Sequence, residues 1–189
     1  MARPKSKDKR DSIIAAATEA IAEQGLGVST CKIAQLAGVA EGSLFTYFAT
    51  KEILFNELFV ELKLKERENV MHDYPFHASL QNRARHIWDK YVRLGITYPS
   101  RYKVITQLSV SHHISEQTRR ECEGYEAVNA MMKEVLAGGS LKDQPPEFGV
   151  ALLISLMNMT IEFIIQHPSE ADTFWDAGFT AFWNAVTHT

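Results

Sequence analysis

Apolar side chains return at intervals of three and four along nearly the whole chain. Nowhere do they alternate with polar ones long enough to specify a strand. The first run, opened by Asp11 or Ser12 and carrying Ile14, Ala17 and Ile21, closes at Gln24-Gly25. Two short runs follow. Ser29 or Thr30 is placed to cap the first, and Ile33, Ala34, Leu36 and Ala37 give it a buried side. Gly38 suits the left-handed turn that ends it, with Val39 filling the corner. In the second, Leu44 and Phe48 lie four apart and share a face, which leaves Glu41, Gly42, Ser43, Thr46 and Tyr47 on the others. Thr50 reads as the next cap. Lys51 then opens a long helix to about residue 72, with Leu54, Phe55, Leu58, Phe59 and Leu62 inward and a charge run over 63–68 read as a solvated face.

After the break at Asp73-Tyr74-Pro75, the same rhythm predicts helices over 80–98, 101–111, 115–137, 147–166 and 170–187. Ile87, Trp88, Tyr91, Leu94 and Gly95 face inward on the first of these. Tyr125, Val128, Met131, Met132, Val135 and Leu136 do so on the third. Pro99-Ser100, Gly138-Gly139, Pro145-Pro146 and His167-Pro168 separate the helices. The predicted fold class is therefore all-α with about nine helices: a small three-helix module over 1–51 and a larger helical domain over 52–189.

The last two helices are apolar on most sides, and a helix apolar all round is a buried one. A terminal pair in a chain of 189 residues should keep one side in water, so a second subunit is the simplest cover. Leu156, Ile164, Phe174, Trp175, Phe182 and Trp183 are the candidate homodimer contacts; an ordinary large core is the other reading.

Charge changes the picture at the front of the chain. The whole carries a net charge of −3, yet residues 1–51 hold seven basic and five acidic side chains. Arg3, Lys5, Lys7, Lys9 and Arg10 crowd the N-terminus, as a solvated leader or an arm laid along phosphates. Two isolated cysteines, Cys31 and Cys122, make neither a disulfide framework nor a zinc site. No uninterrupted apolar stretch is read as transmembrane and no signal segment is evident, so no membrane partner and a cytoplasmic location are expected.

The stretch from residue 29 to 52, with its capped short helix, tight turn, second short helix and capped third, has the layout of a helix-turn-helix. The expected partner of such a layout is double-stranded DNA. The candidate contacts are Thr30, Lys32, Glu41, Gly42, Ser43, Phe45, Thr46, Tyr47 and Lys51. Gly42 and Ser43 are small enough for backbone to approach the duplex. Lys51 stands in a first helical turn, a poor place for a cation unless an anion such as phosphate is near. Catalysis finds no support. Among seven histidines the one adjacent pair, His112-His113, points about 100° apart on a helix, and no four-residue ligand spacing, phosphate loop or nucleophile motif occurs. No catalytic residue, metal or cofactor is expected.

Ile33-Ala34, Ala37-Gly38-Val39, Gly42-Ser43-Leu44-Phe45, Tyr47-Phe48, Lys51-Glu52 and Leu54 resemble the DNA-binding signature of the TetR family of one-component repressors. Phe45 stands where most members carry tyrosine, and Ala40 where a capping Ser or Thr is usual. The resemblance implies a dimer on a palindromic operator, released when a hydrophobic or aromatic small molecule enters the C-terminal domain. Met-Ala-Arg-Pro-Lys-Ser at 1–6, the word at 37–42 and the word at 47–51 are similar to multidrug-sensing members, which implies control of efflux or resistance genes. A stripe of aromatic and methionine side chains is ordinarily core. The resemblance implies in addition an inducer cavity lined by Phe59, Trp88, Tyr91, Leu108, Met131, Val150, Leu153 and Met157. A ligand-independent architectural or division-control protein of the same fold is the alternative.

Overall fold

The computed structural model describes residues 6–122 and 126–187, all of whose regular structure is helical. Arg3, Lys5 and Tyr125 lie outside the described residues. In chain order the helices are α1 (Lys7–Gln24), α2 (Thr30–Leu36), α3 (Glu41–Tyr47), α4 (Lys51–Met71), α5 (Leu80–Thr97), α6 (Pro99–Ser109), α7 (Glu116–Cys122), α8 (Glu126–Leu136), α9 (Pro146–Gln166) and α10 (Ala171–Thr187). A short 3-10 turn, Pro168–Glu170, precedes the last.

The boundaries follow local chemistry. Helix α1 begins at Lys7, four residues before the expected start at Asp11, because the polar residues before Ile13 are helix-competent and Asp8 sits favourably in its first turn. Helix α6 begins at Pro99, which occupies the first helical position, where its missing N–H costs nothing. Where one helix is predicted over 115–137, α7 and α8 lie on either side of 123–125. Ser29 caps α2, its hydroxyl accepting from the Lys32 amide. Gly38 takes φ +67°, the left-handed conformation expected of it. Thr50 Oγ1 accepts from the Ile53 amide at the start of α4.

The chain divides into two compact units, and the division falls inside α4 rather than at 51/52. The first holds α1–α3, α4 to Lys65, and α6 with α7 from Tyr98 onward. In it α1 packs against α2 and α6, and α2 against α3. Its core joins Ile13, Ala17 and Ile21 of α1 to Ile33, Leu44, Phe48, Leu58 and Leu108. Asn56 ties α4 to the segment before α7, donating to the His113 carbonyl and accepting from the Ser115 amide. Glu66 is 4% exposed, so the charge run over 63–68 is not simply a solvated face.

The second unit holds α4 from Glu66, α5 and α8–α10, including all three tryptophans. Within it α9 packs against α5, α8 and α10. Glycines allow two close approaches. A Cβ on Gly178 would stand 2.3 Å from Thr160 Oγ1 and 2.7 Å from Trp88 Cζ2, and one on Gly139 would stand 2.2 Å from the Val186 carbonyl oxygen. Among the described residues one helix, α9, is long and apolar enough by length and composition to cross a membrane, a test that the core helix of a folded domain also passes. Here Leu153, Met157, Ile161 and Ile164 of that helix enter the core of the unit.

Candidate nucleic-acid interface

Helix α3 is held by one side. Leu44 and Phe48 are fully buried in the core of the first unit, as their spacing predicts. The rest of the helix is thereby turned outward: Gly42, Phe45 and Thr46 are exposed, and Glu41, Ser43 and Tyr47 half-exposed. Phe45, at 43% exposure, is an aromatic ring without a pocket. Ala40, at the N-cap, offers no side-chain acceptor to the first turn.

Several predicted contacts already have partners within the unit. Thr30 Oγ1 donates to Glu41 Oε1 at 2.6 Å, so α2 and α3 are clasped across the turn. This bond holds the Glu41 carboxylate to one side of the helix. The Tyr47 hydroxyl accepts from the Ser6 amide at 3.0 Å, fixing the start of α1 against the end of α3. Thr46 Oγ1 bonds back to the Gly42 carbonyl. Lys51 Nζ donates to the Leu26 carbonyl at 2.9 Å and lies 5.2 Å above the Phe55 ring. Lys32 is half-exposed on α2. The structure therefore brings the nine predicted residues together on α2, α3 and the start of α4. It places Leu36 differently: its side chain is 48% exposed and not part of the buried side of α2. Ile33 and Ala34 suffice for a two-turn helix.

One element behind this surface is absent from the sequence reading. Arg10 of α1 donates to Glu61 Oε2 at 3.0 Å and to Glu57 Oε2 at 2.9 Å on α4, with its guanidinium 5.6 Å from the Phe48 ring. The hydrogen bond to Glu57 outweighs burial and raises the Arg10 pKa above its already high value. For Glu61, burial alone would push the carboxyl up; bonds from Lys65 and Arg10 outweigh it and hold the group below the ordinary glutamate value. The signal was present as Glu57 and Glu61 four apart on one helical face.

Residues 13–58 match the family model for bacterial regulatory proteins, tetR family. The matched stretch runs from within α1, through α2 and α3, into α4. A regulator of Bacillus subtilis named YhgD, of the HTH type, is 26% identical over 171 residues, covering 86% of this chain and 88% of its own. A TetR-family transcription regulator from Shewanella sp. PV-4 superposes with TM-score 0.82 at 24% identity, over 94% of this chain and 97% of that one. The regulator FadR of Bacillus subtilis, solved in complex with stearoyl-CoA, superposes with TM-score 0.68 at 20% identity, over 93% and 97% of the two chains. The matched family and these relatives are described by their names as transcription regulators.

The other predicted sites lie on helices other than α2 and α3. Of the eight residues expected around an inducer, Phe59 and Leu108 are buried in the first unit. Trp88, Met131, Leu153 and Met157 are buried in the second, where Val150 is half-buried and Tyr91 donates to Asn158 Oδ1 at 3.1 Å. The eight are thus not brought into one unit. The Trp88 indole N–H and the Thr160 hydroxyl are buried there without a hydrogen-bond partner. Among the expected dimer contacts, Ile164 and Phe182 belong to the core of their own unit. Leu156, Phe174, Trp175 and Trp183 are half-buried, and Trp175 donates to Asp89 Oδ1. The outward large apolar side chains of α9 are instead Phe148, Ile154, Met159, Phe163 and Ile165.

Proposed function

We propose that this chain is a ligand-released repressor that binds a palindromic operator as a homodimer. The observation that carries the reading is the α3 surface, where Gly42, Ser43, Phe45 and Thr46 are turned outward by the burial of Leu44 and Phe48. Such a surface suits a recognition helix in the major groove, with half-sites about 34–36 Å apart on one face of the duplex. Residues 1–51 would act as the DNA-binding domain and 52–189 as the ligand-binding and dimerisation domain. The exposed Ile154, Met159, Phe163 and Ile165 of α9 supply an apolar face for the second copy.

For the inducer, a hydrophobic or aromatic molecule is favoured by the unpartnered Trp88 indole N–H. A buried donor left unpaired costs about 1–3 kcal/mol, which an acceptor on the ligand would recover. A relative that takes an acyl-CoA on this fold supports an apolar occupant. The N-terminal words are similar to those of RamR, a multidrug-sensing repressor, which favours efflux or resistance genes as targets and a cytoplasmic location. Helix α4 contributes residues to both units. An inducer that displaced α4 would alter the presentation of α3, and operator DNA must weaken inducer binding by the same factor.

The test is genome-wide recovery of bound DNA followed by footprinting. One or a few protected palindromes near promoters are expected. Even coverage of many unrelated sites would identify an architectural protein instead and end the repressor reading.

A further inference from the structure

Helix α3, Glu-Gly-Ser-Leu-Phe-Thr-Tyr, contains no arginine, lysine, asparagine or glutamine. Those are the side chains that read a purine by paired hydrogen bonds in the major groove, arginine or lysine on guanine and asparagine or glutamine on adenine. A helix without them has pyrimidines left to discriminate. A carboxylate can accept from the cytosine amino group, and an apolar side chain can cover the 5-methyl group of thymine. The polar means are reduced further inside the fold. Thr46 spends its hydroxyl proton on the Gly42 carbonyl, and Glu41 accepts from Thr30. Lys32 and Gln35 belong to α2, the helix that crosses the backbone in a helix-turn-helix. On the operator-binding reading above, on which this depends, we propose that Phe45 is the specificity-determining residue of α3 and reads thymine, its ring packed on the 5-methyl group.

The local geometry offers that ring. Phe45 is 43% exposed although it adjoins the fully buried Leu44. Gly42, three residues earlier, shares its face, and a helical side chain leans towards the N-terminus, over that position. Gly42 has no side chain to cover the ring, and a Cβ built there would meet nothing within 4 Å. Ring and open backbone together form an apolar step with room beside it for a methyl group. Tyr47, which the Ser6 amide meets, is two positions on and so about 200° around the helix, on another side. Burial of one methyl-sized group corresponds to about a fourfold change in affinity.

The operator need not be known beforehand. The full-length protein selects duplexes from a random-sequence pool made with thymidine, and from a second made with deoxyuridine, which lacks only the 5-methyl group. The thymidine pool is expected to yield a palindrome with one strongly preferred thymine in each half-site. The deoxyuridine pool should lose the preference at that position. In the selected duplex, uridine there should weaken wild-type binding about fourfold in one half-site and about fifteenfold in both, read by fluorescence anisotropy. 5-Methylcytosine paired with guanine should bind better than cytosine at the same place, because it carries the same methyl group. Phe45→Ala should bind the thymine and uridine duplexes equally and keep the wild-type salt dependence, since phosphate contacts are untouched. Phe45→Gln, which keeps bulk without an apolar ring, should also lose the uridine penalty and serves where Phe45→Ala fails to fold. A selected palindrome insensitive to uridine at every position, or a uridine penalty as large in both variants as in wild type, would overturn the role of Phe45 and leave the repressor reading standing. Selection of no specific sequence would overturn both.

Discussion

Lys51 stands in the first turn of α4, where the helix dipole opposes a cation, and the Leu26 carbonyl and the Phe55 ring account for it inside the fold. Lys51→Ala is therefore expected to lower stability to urea by about 1–2 kcal/mol, the sum of one hydrogen bond and one cation–π contact. It should also weaken binding to every DNA sequence. If the ammonium reaches a phosphate as well, the salt dependence of operator affinity should flatten by about one counter-ion; an unchanged slope would assign Lys51 to the fold alone. Glu61 gives a pH dependence with a definite sign. Its carboxyl is held low in the native protein, so its contribution is complete above the ordinary value of 4.5 and is lost as pH falls through the lowered native one. Glu61→Gln should reduce the acid-side loss of stability, at a cost near neutral pH of about 0.2–1 kcal/mol for a half-exposed pair. Denaturant titrations at a series of pH values check both. At this scale the caps at Ser29 and Thr50 and the turn at Gly38 were legible, because each depends on immediate neighbours. The partners of Tyr47, Lys51 and Arg10 were not, since each lies 25 to 51 residues away in the chain.

Elements were legible where one face decides them. Leu44 and Phe48 fixed which side of α3 is buried, and hence which is offered outward. The same reasoning overreached for Leu36: a helix of seven residues needs only Ile33 and Ala34 to hold it. It also failed for Ile164 and Phe182, because apolar residues surround α9 and α10, and spacing alone cannot say which of two apolar faces meets the core. Contacts between elements carry the next expectation. Gly178→Ala would drive a methyl group into Thr160 and Trp88, and should destabilise the protein by about 1–3 kcal/mol through overpacking. Adding Thr160→Ala should return part of that loss, since the two changes share one contact. Urea unfolding of the two single variants and the double variant measures the coupling.

At the scale of the whole molecule, the proposed dimer makes the outer face of α9 testable. Phe163→Asp is expected to give a monomer by sedimentation, with helix content unchanged and affinity for a palindrome reduced towards that for a half-site. Trp88→Ala, a change in the core of the second unit, should leave operator binding intact and blunt the response to an inducer. The division between the units was not legible, because α4 has no glycine or proline to mark where one packing arrangement gives way to another, and the charge run over 63–68 in which it falls reads as a solvated face.

The tryptophans add a practical consequence. Indole emission reports only on the unit without α3, while tyrosines alone, Tyr47, Tyr98 and Tyr102, serve the other. A change in fluorescence when operator DNA is added would thus be the optical trace of a signal that has already travelled, and a silent titration with tight binding would mean it had not.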